Sequence, residues 1–318
     1  MSARRTLVTG AAGFIGAGLT RRLLADGHRV ELLLRPGSDA WRLDGVRDEL
    51  VVHEADLRDR EAVCAAVDAA SAEWVFHLAA HGAYSWQTDT EGIFQSNTLG
   101  TLNLLESCVE GGFDAFVHAG TSSEYGLKDH APSEDEAPEP NSSYAVAKVA
   151  ATLLCRQFAE QYGLHLSTLR LYSVYGPWED PRRLMPTLVA HAMRGELPPL
   201  VDPETARDFV HLDDVLEAFL LAAAVSVPGS SGIYNVGSGR QTSLRELVEI
   251  ACDTLDVSVT PEWGTHASRD WDASVWVSDP SKISRELGWR AGRELRAGLT
   301  DMAAWLREHP ELAERYAL

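Results

Sequence analysis

Short apolar runs recur along the first half of the chain, at residues 6–9, 30–34, 50–52, 74–78, 115–119 and 166–171. Runs this short, rich in aliphatic and β-branched side chains, are read as strands covered on both faces. Between them lie stretches of helical spacing, such as 14–25 and 60–69. Strand and helix in alternation predict right-handed parallel βαβ units and hence an α/β fold with a Rossmann-type, doubly wound parallel sheet. After Tyr172 the alternation breaks, and Pro177, Pro181, Pro186, Pro198, Pro199 and Pro203 separate helical stretches at 184–194 and 214–224. The expected organisation is therefore a Rossmann domain over 1–171 and a smaller α/β substrate-binding lobe over 172–318, some of whose segments return to the first domain. The acidic stretch 133–140 reads as a solvated loop, because the helix pattern that follows it still belongs to the first domain.

Composition narrows the class. The 318 residues are 45% hydrophobic and 24% charged, the balance of a folded globular chain. Lys and Arg total 28 against 47 Asp and Glu, a formal charge of −19 that argues against nucleic acid or an anionic membrane as partner. An anionic substrate then needs a local basic pocket. Cys64, Cys108, Cys155 and Cys252 lie far apart and read as reduced core residues, and no cluster of Cys and His suggests a metal. Neither a signal-peptide pattern nor an apolar run of membrane-spanning length is visible, so a cytoplasmic location is expected.

The first chemistry-bearing motif is Gly10-Ala-Ala-Gly13-Phe14-Ile15-Gly16, which follows a strand and opens a helix. Glycines there permit a tight turn and close backbone approach, while the helix N-terminus offers N–H donors to a dinucleotide pyrophosphate. At the end of the second strand an Asp or Glu would accept the ribose hydroxyls of NAD, but this chain has Leu34, Arg35 and then Ser38. An arginine pairs with a 2′-phosphate where a carboxylate repels it, so NADP(H) is favoured, with NAD as the alternative. Asp56 and Leu57, and then Leu78, Ala79 and Ala80, follow later strands at the carboxyl edge of the sheet, where ligands bind.

The second motif is Tyr144-x-x-x-Lys148. In a helix over 142–162 both side chains project from one face, forming an acid–base pair in outline, with the lysine expected to lower the phenol pKa. Thr121, Ser122 and Ser123 end the preceding strand and bring hydroxyls to the same edge.

Together the glycine turn, Asp56-Leu57, His77-Leu-Ala-Ala80, Thr121 before Tyr125-Gly126, and Tyr144-x-x-x-Lys148 resemble the extended short-chain dehydrogenase/reductase family, the NAD-dependent epimerase/dehydratases of nucleotide-sugars. The likeness continues through Leu171-Tyr-Ser-Val-Tyr-Gly-Pro177, Ala206-Arg-Asp-Phe-Val-His211 and Tyr234-Asn-Val-Gly-Ser-Gly239. It implies that Thr121 bonds the reacting sugar oxygen, Tyr144 is the general acid/base, and Lys148 holds the nicotinamide ribose. Asn97 is expected beside the cofactor, and His81, Tyr84, Ser122, Ser123, Ser173, Arg182, Arg207 and Arg269 beside a nucleoside-diphosphate sugar. A homodimer through helices near 98–108 and 146–158 is implied as well.

Departures from the family pattern refine the reaction. The 4,6-dehydratases resemble one another in a Glu two residues before Tyr-Gly, where this chain has Ser123; Glu124 is displaced by one residue, which turns a side chain to the other face. Dehydration is therefore disfavoured. The segment His81-Gly-Ala-Tyr84-Ser-Trp86, with Asn97 and Arg35, is similar to CDP-paratose and CDP-abequose synthases. NADPH-dependent reduction of a 4-keto sugar nucleotide is thus the leading expectation, 4-epimerisation the alternative, and a catalytically silent NADP-sensing protein the third. Ser173 in place of the Asn usual before Val-Tyr-Gly-Pro puts the local diphosphate contact in question.

Overall fold

The computed structural model describes residues 2–84, 86–227, 232–265 and 274–316. The chain runs β1 (Arg5–Thr9), α1 (Phe14–Ala25), β2 (Arg29–Leu34), β3 (Val51–Glu54), α2 (Arg60–Ala70), β4 (Trp74–His77), α3 (Thr90–Phe94), α4 (Gly100–Gly111), β5 (Ala115–Thr121), α5 (Ser143–Tyr162) and β6 (Leu166–Leu171). It continues with β7 (Ser173–Tyr175), α6 (Leu184–Ala192), β8 (Ala206–Arg207), β9 (Phe209–His211), α7 (Leu212–Ala224), β10 (Ile233–Val236), β11 (Thr242–Ser243), α8 (Leu244–Leu255), α9 (Ser281–Leu287) and α10 (Leu295–Glu308).

Seven strands form one parallel sheet in the order β10-β6-β5-β4-β1-β2-β3. Its strands face two apolar layers alternately: Val8, Phe76 and Val117 pack with α1 and α7 residues, while Leu7, Val75 and Phe116 pack with α2, α4 and α5 residues. That two-sided burial explains the runs of apolar residues. The order reverses beside β1, where the chain leaves outward through β2 and β3 and returns as β4 on the other side. A crevice opens at such a switch point, beyond the carboxyl ends of β1 and β4.

β10, far along the chain, closes the sheet against β6, with Ile233 opposite Thr168. Two-stranded pairs β11-β8 and β7-β9 lie outside it. A third apolar cluster, including Tyr175, Met185, Leu188, Leu247, Leu299 and Met302, joins β7, α6, α8 and α10. Among the described residues no helix is long and apolar enough to cross a membrane.

Candidate active site

The turn after β1 is shaped by backbone crowding. Gly10 has φ +71°, and a Cβ there would lie 2.5 Å from the backbone of Leu78 and Ala79; one on Gly16 would meet the Gly10 carbonyl at 2.3 Å. Only hydrogen fits at either position. Gly13 is the N-cap of α1 and brings no side chain to bond the first-turn N–H groups. Those donors, at the switch point and at a helix N-terminus, suit a pyrophosphate, so the residues present fit a dinucleotide. Phe14, Ile15, Leu78, Ala79 and Ala80 line the same turn and the end of β4.

At the ribose end lie the two residues on which the NADP expectation rested. Arg35 follows β2 and is exposed, but the Ser38 hydroxyl donates to the Arg35 carbonyl at 2.7 Å. Asp56, beyond β3, is close enough for Arg35 to help hold its carboxyl below the usual range, although its main partner is Arg58 at 2.6 Å. Arg35 therefore has an anionic neighbour within the chain.

The candidate acid–base residues converge from two elements. Ser142 caps α5, its hydroxyl accepting from Ala145 N at 3.1 Å, so Tyr144 and Lys148 fall on the first two turns. Lys148 is buried and Tyr144 half-buried. Thr121 ends β5 beside the Tyr144 phenol and caps a 3₁₀ turn, Ser122–Tyr125, accepting from Ser123 N. Burial pushes the Tyr144 phenol up to about 12, reinforced by the Glu124 charge and opposed by the Thr121 hydroxyl and Arg183. The lowering expected from Lys148 is not what acts on the phenol in the protein alone: the opposing influences are the Thr121 hydroxyl and Arg183, and burial exceeds both. Burial likewise brings the Lys148 ammonium down to about 8.

Glu124 explains much of this electrostatics. Its carboxylate, fully buried, accepts from Thr121 N at 3.0 Å, from the Thr152 hydroxyl at 3.1 Å and from Arg170 Nε at 2.9 Å. It holds the backbone at Thr121 from behind. Buried ion pairs are seldom a source of net stability, but they constrain geometry.

Other expected site residues divide. Asn97, in a π-helical turn over Gln95–Leu99, accepts from His81 N with its side-chain carbonyl at 2.8 Å and donates its amide N–H to His81 O at 2.6 Å. It shapes the loop after β4 with both ends of its carboxamide. Tyr84 stacks on Trp86 at 4.5 Å, and the Arg182 guanidinium covers Trp86 at 3.9 Å while pairing with Asp180. This stack joins the sheet edge to the loop before α6. Ser122 is buried and Ser123 partly exposed beside Thr121; Ser173, on β7, donates its backbone N–H to Asp208 O. Arg207 lies over Trp276 at 5.5 Å, and Asp208 beside it accepts from Ser238, Gly239 and Ser278. Arg269 lies outside the described residues. His77 and His81, four residues apart, form no metal pair: both His77 ring nitrogens are engaged, by Thr9 at 2.7 Å and Thr101 at 2.9 Å.

Sequence reading missed Arg42, whose buried guanidinium donates to Trp178 O at 2.6 Å and reaches Ala12 O at 3.4 Å. It ties the glycine turn to the loop after β7. No local pattern marks it. His118 was also missed, though a histidine amid a buried strand is itself a signal.

A glycine turn at the switch point of a parallel sheet, with Thr, Tyr and Lys at the same edge, defines a dinucleotide-dependent enzyme of the Rossmann class. Residues 6–237 match the NAD dependent epimerase/dehydratase family, and the chain belongs to that family. It is 31% identical over 316 residues to a dTDP-glucose 4,6-dehydratase of Streptomyces griseus, covering 95% of this chain and 94% of that one. It is 32% identical over 320 residues to a UDP-glucose 4-epimerase of Mycolicibacterium smegmatis, covering 95% and 98%. The Thermus thermophilus UDP-glucose 4-epimerase structure, a complex with NAD, matches with a TM-score of 0.81 and 31% identity, covering 95% of this chain and 99% of that one.

Proposed function

We propose that the chain is an NAD-dependent nucleotide-sugar 4-epimerase. One observation supports the reading: the Thr121 hydroxyl stands beside the Tyr144 phenol, while the position two residues before Tyr125-Gly126 carries no carboxylate for loss of water. Ser123 stands at that position, and Glu124 is committed to Thr121, Thr152 and Arg170 inside the fold. The two relatives described above, one dehydratase and one epimerase, bracket this choice, and the missing base favours the second. Reduction by NADPH, the leading expectation from sequence, is the less supported reading, since Arg35 has the Asp56 charge nearby and the matching Thermus structure holds NAD.

Gly10, Gly13 and Gly16 would hold the dinucleotide, which when bound accepts and returns a hydride at its nicotinamide ring. Tyr144 would take the proton of the sugar C4 hydroxyl and give it back after the ring has turned. Thr121 would orient that oxygen, its hydroxyl also opposing the burial that raises the phenol, and Lys148 would hold the ribose. Arg207 and Arg182 are the cations proposed for the diphosphate and sugar.

Incubation with UDP-glucose, with NAD present, tests the assignment. Conversion to the C4 epimer without net change in cofactor absorbance is expected. Accumulation of a 4-keto-6-deoxy product would instead make the chain a dehydratase, and stoichiometric consumption of NADPH by a 4-keto sugar nucleotide would restore the reductase.

A further inference from the structure

One buried titratable side chain near the site has no task in this scheme. His118 is fully buried on β5, and its Nε2 lies 2.9 Å from Lys148 Nζ. Its Nδ1 is 3.4 Å from the Thr168 hydroxyl. The ring stacks on His77 at 5.5 Å with 27° between planes, and His77 is held on both sides by Thr9 and Thr101. The imidazole is thus fixed by β4, β6 and α5 at once.

A neutral imidazole has one lone pair. An ammonium aimed at Nε2 takes that lone pair and leaves the ring proton on Nδ1, facing Thr168. We propose that His118 is a positioning residue that aims the Lys148 ammonium and keeps it charged for its work beside Tyr144. The proposal rests on the roles assigned above to Lys148 and Tyr144.

The surroundings make such an acceptor necessary. Lys148 is buried, and removal of an ammonium from water favours its neutral form. Glu124, from the 3₁₀ turn, acts in the opposite direction but is shared with Arg170 of β6, and Cys155 on α5 brings no charge, since burial pushes its thiol up to about 12. Tyr144 on α5 stays protonated in the protein alone. His77, behind His118, is neutral, as burial pulls it down to about 3. His118 is held neutral by the same burial and by the Lys148 charge, so its lone pair remains available across the working pH range. A charge-assisted bond of this kind favours the charged form by about one pH unit or more.

The test compares full-length wild type with His118→Phe, which keeps a ring but no lone pair, and His118→Gln, whose carbonyl reaches about as far as Nε2. For each protein, NAD affinity by fluorescence titration and epimerase turnover are followed against pH. In His118→Phe the alkaline fall of both is expected about one unit lower than in wild type, and His118→Gln is expected to return it. A limb that stays put in His118→Phe, or that His118→Gln does not restore, overturns the proposal. Nitrogen-15 NMR of histidine-labelled wild type needs no variant: it should show Nε2 unprotonated and Nδ1 carrying the proton, and the opposite tautomer would defeat the idea. Tyr144→Phe separates the failures, since full activity there condemns the site assignment itself, whereas an inactive Tyr144→Phe with an unmoved His118→Phe limb condemns only the role of His118.

Discussion

At the scale of single residues, Tyr144 carries the largest consequence. If its oxygen exchanges the proton at C4, Tyr144→Phe should lower turnover at least about a hundredfold with NAD affinity little changed. Parallel loss of both would show that the phenol builds the cofactor site. The pair Tyr144 and Lys148 was legible from sequence because helical spacing alone places i and i+4 on one face. Glu124 was legible only as displaced from a catalytic position. That it anchors Thr121 through a backbone N–H depends on the 3₁₀ turn after β5 and on Arg170, 46 residues away. Asn97 shows the same limit: sequence marked it as a site residue, while its contacts with His81 make it a brace for the loop that forms one wall.

Elements explain why the turn after β1 tolerates nothing larger than glycine. Strand β4 runs beside β1, with Thr9 opposite His77, and so brings Leu78 and Ala79 against the turn. Gly10→Ala would combine a Cβ 2.5 Å from that backbone with a left-handed φ of +71°. We expect NAD affinity to fall by at least about tenfold and the melting temperature to drop, the cost being of the order of 1–3 kcal/mol. Unchanged binding by calorimetry would mean that the two loops part easily. The pairing of β4 with β5 also stacks His77 on His118, and there a pH dependence follows. Burial depresses the His77 pKa from 6.5 to about 3, so its contribution to stability is fully present above 6.5 and is lost as pH falls toward 3. The advantage of wild type over His77→Gln in thermal unfolding should therefore shrink between pH 7 and pH 4; a constant gap would show that the ring does not titrate in that window.

Across the whole molecule, Val146 and Leu153, seven residues apart on one face of α5, are 40% and 41% exposed, and Leu99 at the N-cap of α4 is 53% exposed. Apolar side chains on two neighbouring helices are the material of a helix-pair interface between two copies. Sedimentation should show a homodimer, and Leu153→Arg should move it toward monomer with the fold retained. A monomeric wild type would remove that expectation. The net charge of −19 sets a second condition at this scale: the diphosphate of the proposed substrate would have to be met by local cations, the part proposed for Arg207 and Arg182, against an unfavourable overall field.

What sequence determined by itself were features whose cause is local. Strands β1, β2, β4, β5 and β6 were visible because burial on both faces demands apolar runs, and α1 and α5 because helical spacing is written within a few residues. The glycine turn was visible because a tight turn needs its glycines at set places. Tertiary structure decided what depends on residues distant in the chain: the return of β10 to pair with β6, the bond from Arg42 to Trp178, the burial that raises Tyr144 and lowers Lys148, and the contact of His118 with Lys148. Solvation and long-range pairing set these, and neither has a period or a motif. The same physics bears on the cofactor reading, because the charge of Arg35 looked unopposed along the chain, whereas pairing of β2 with β3 brings it near enough to Asp56 to act on that carboxyl.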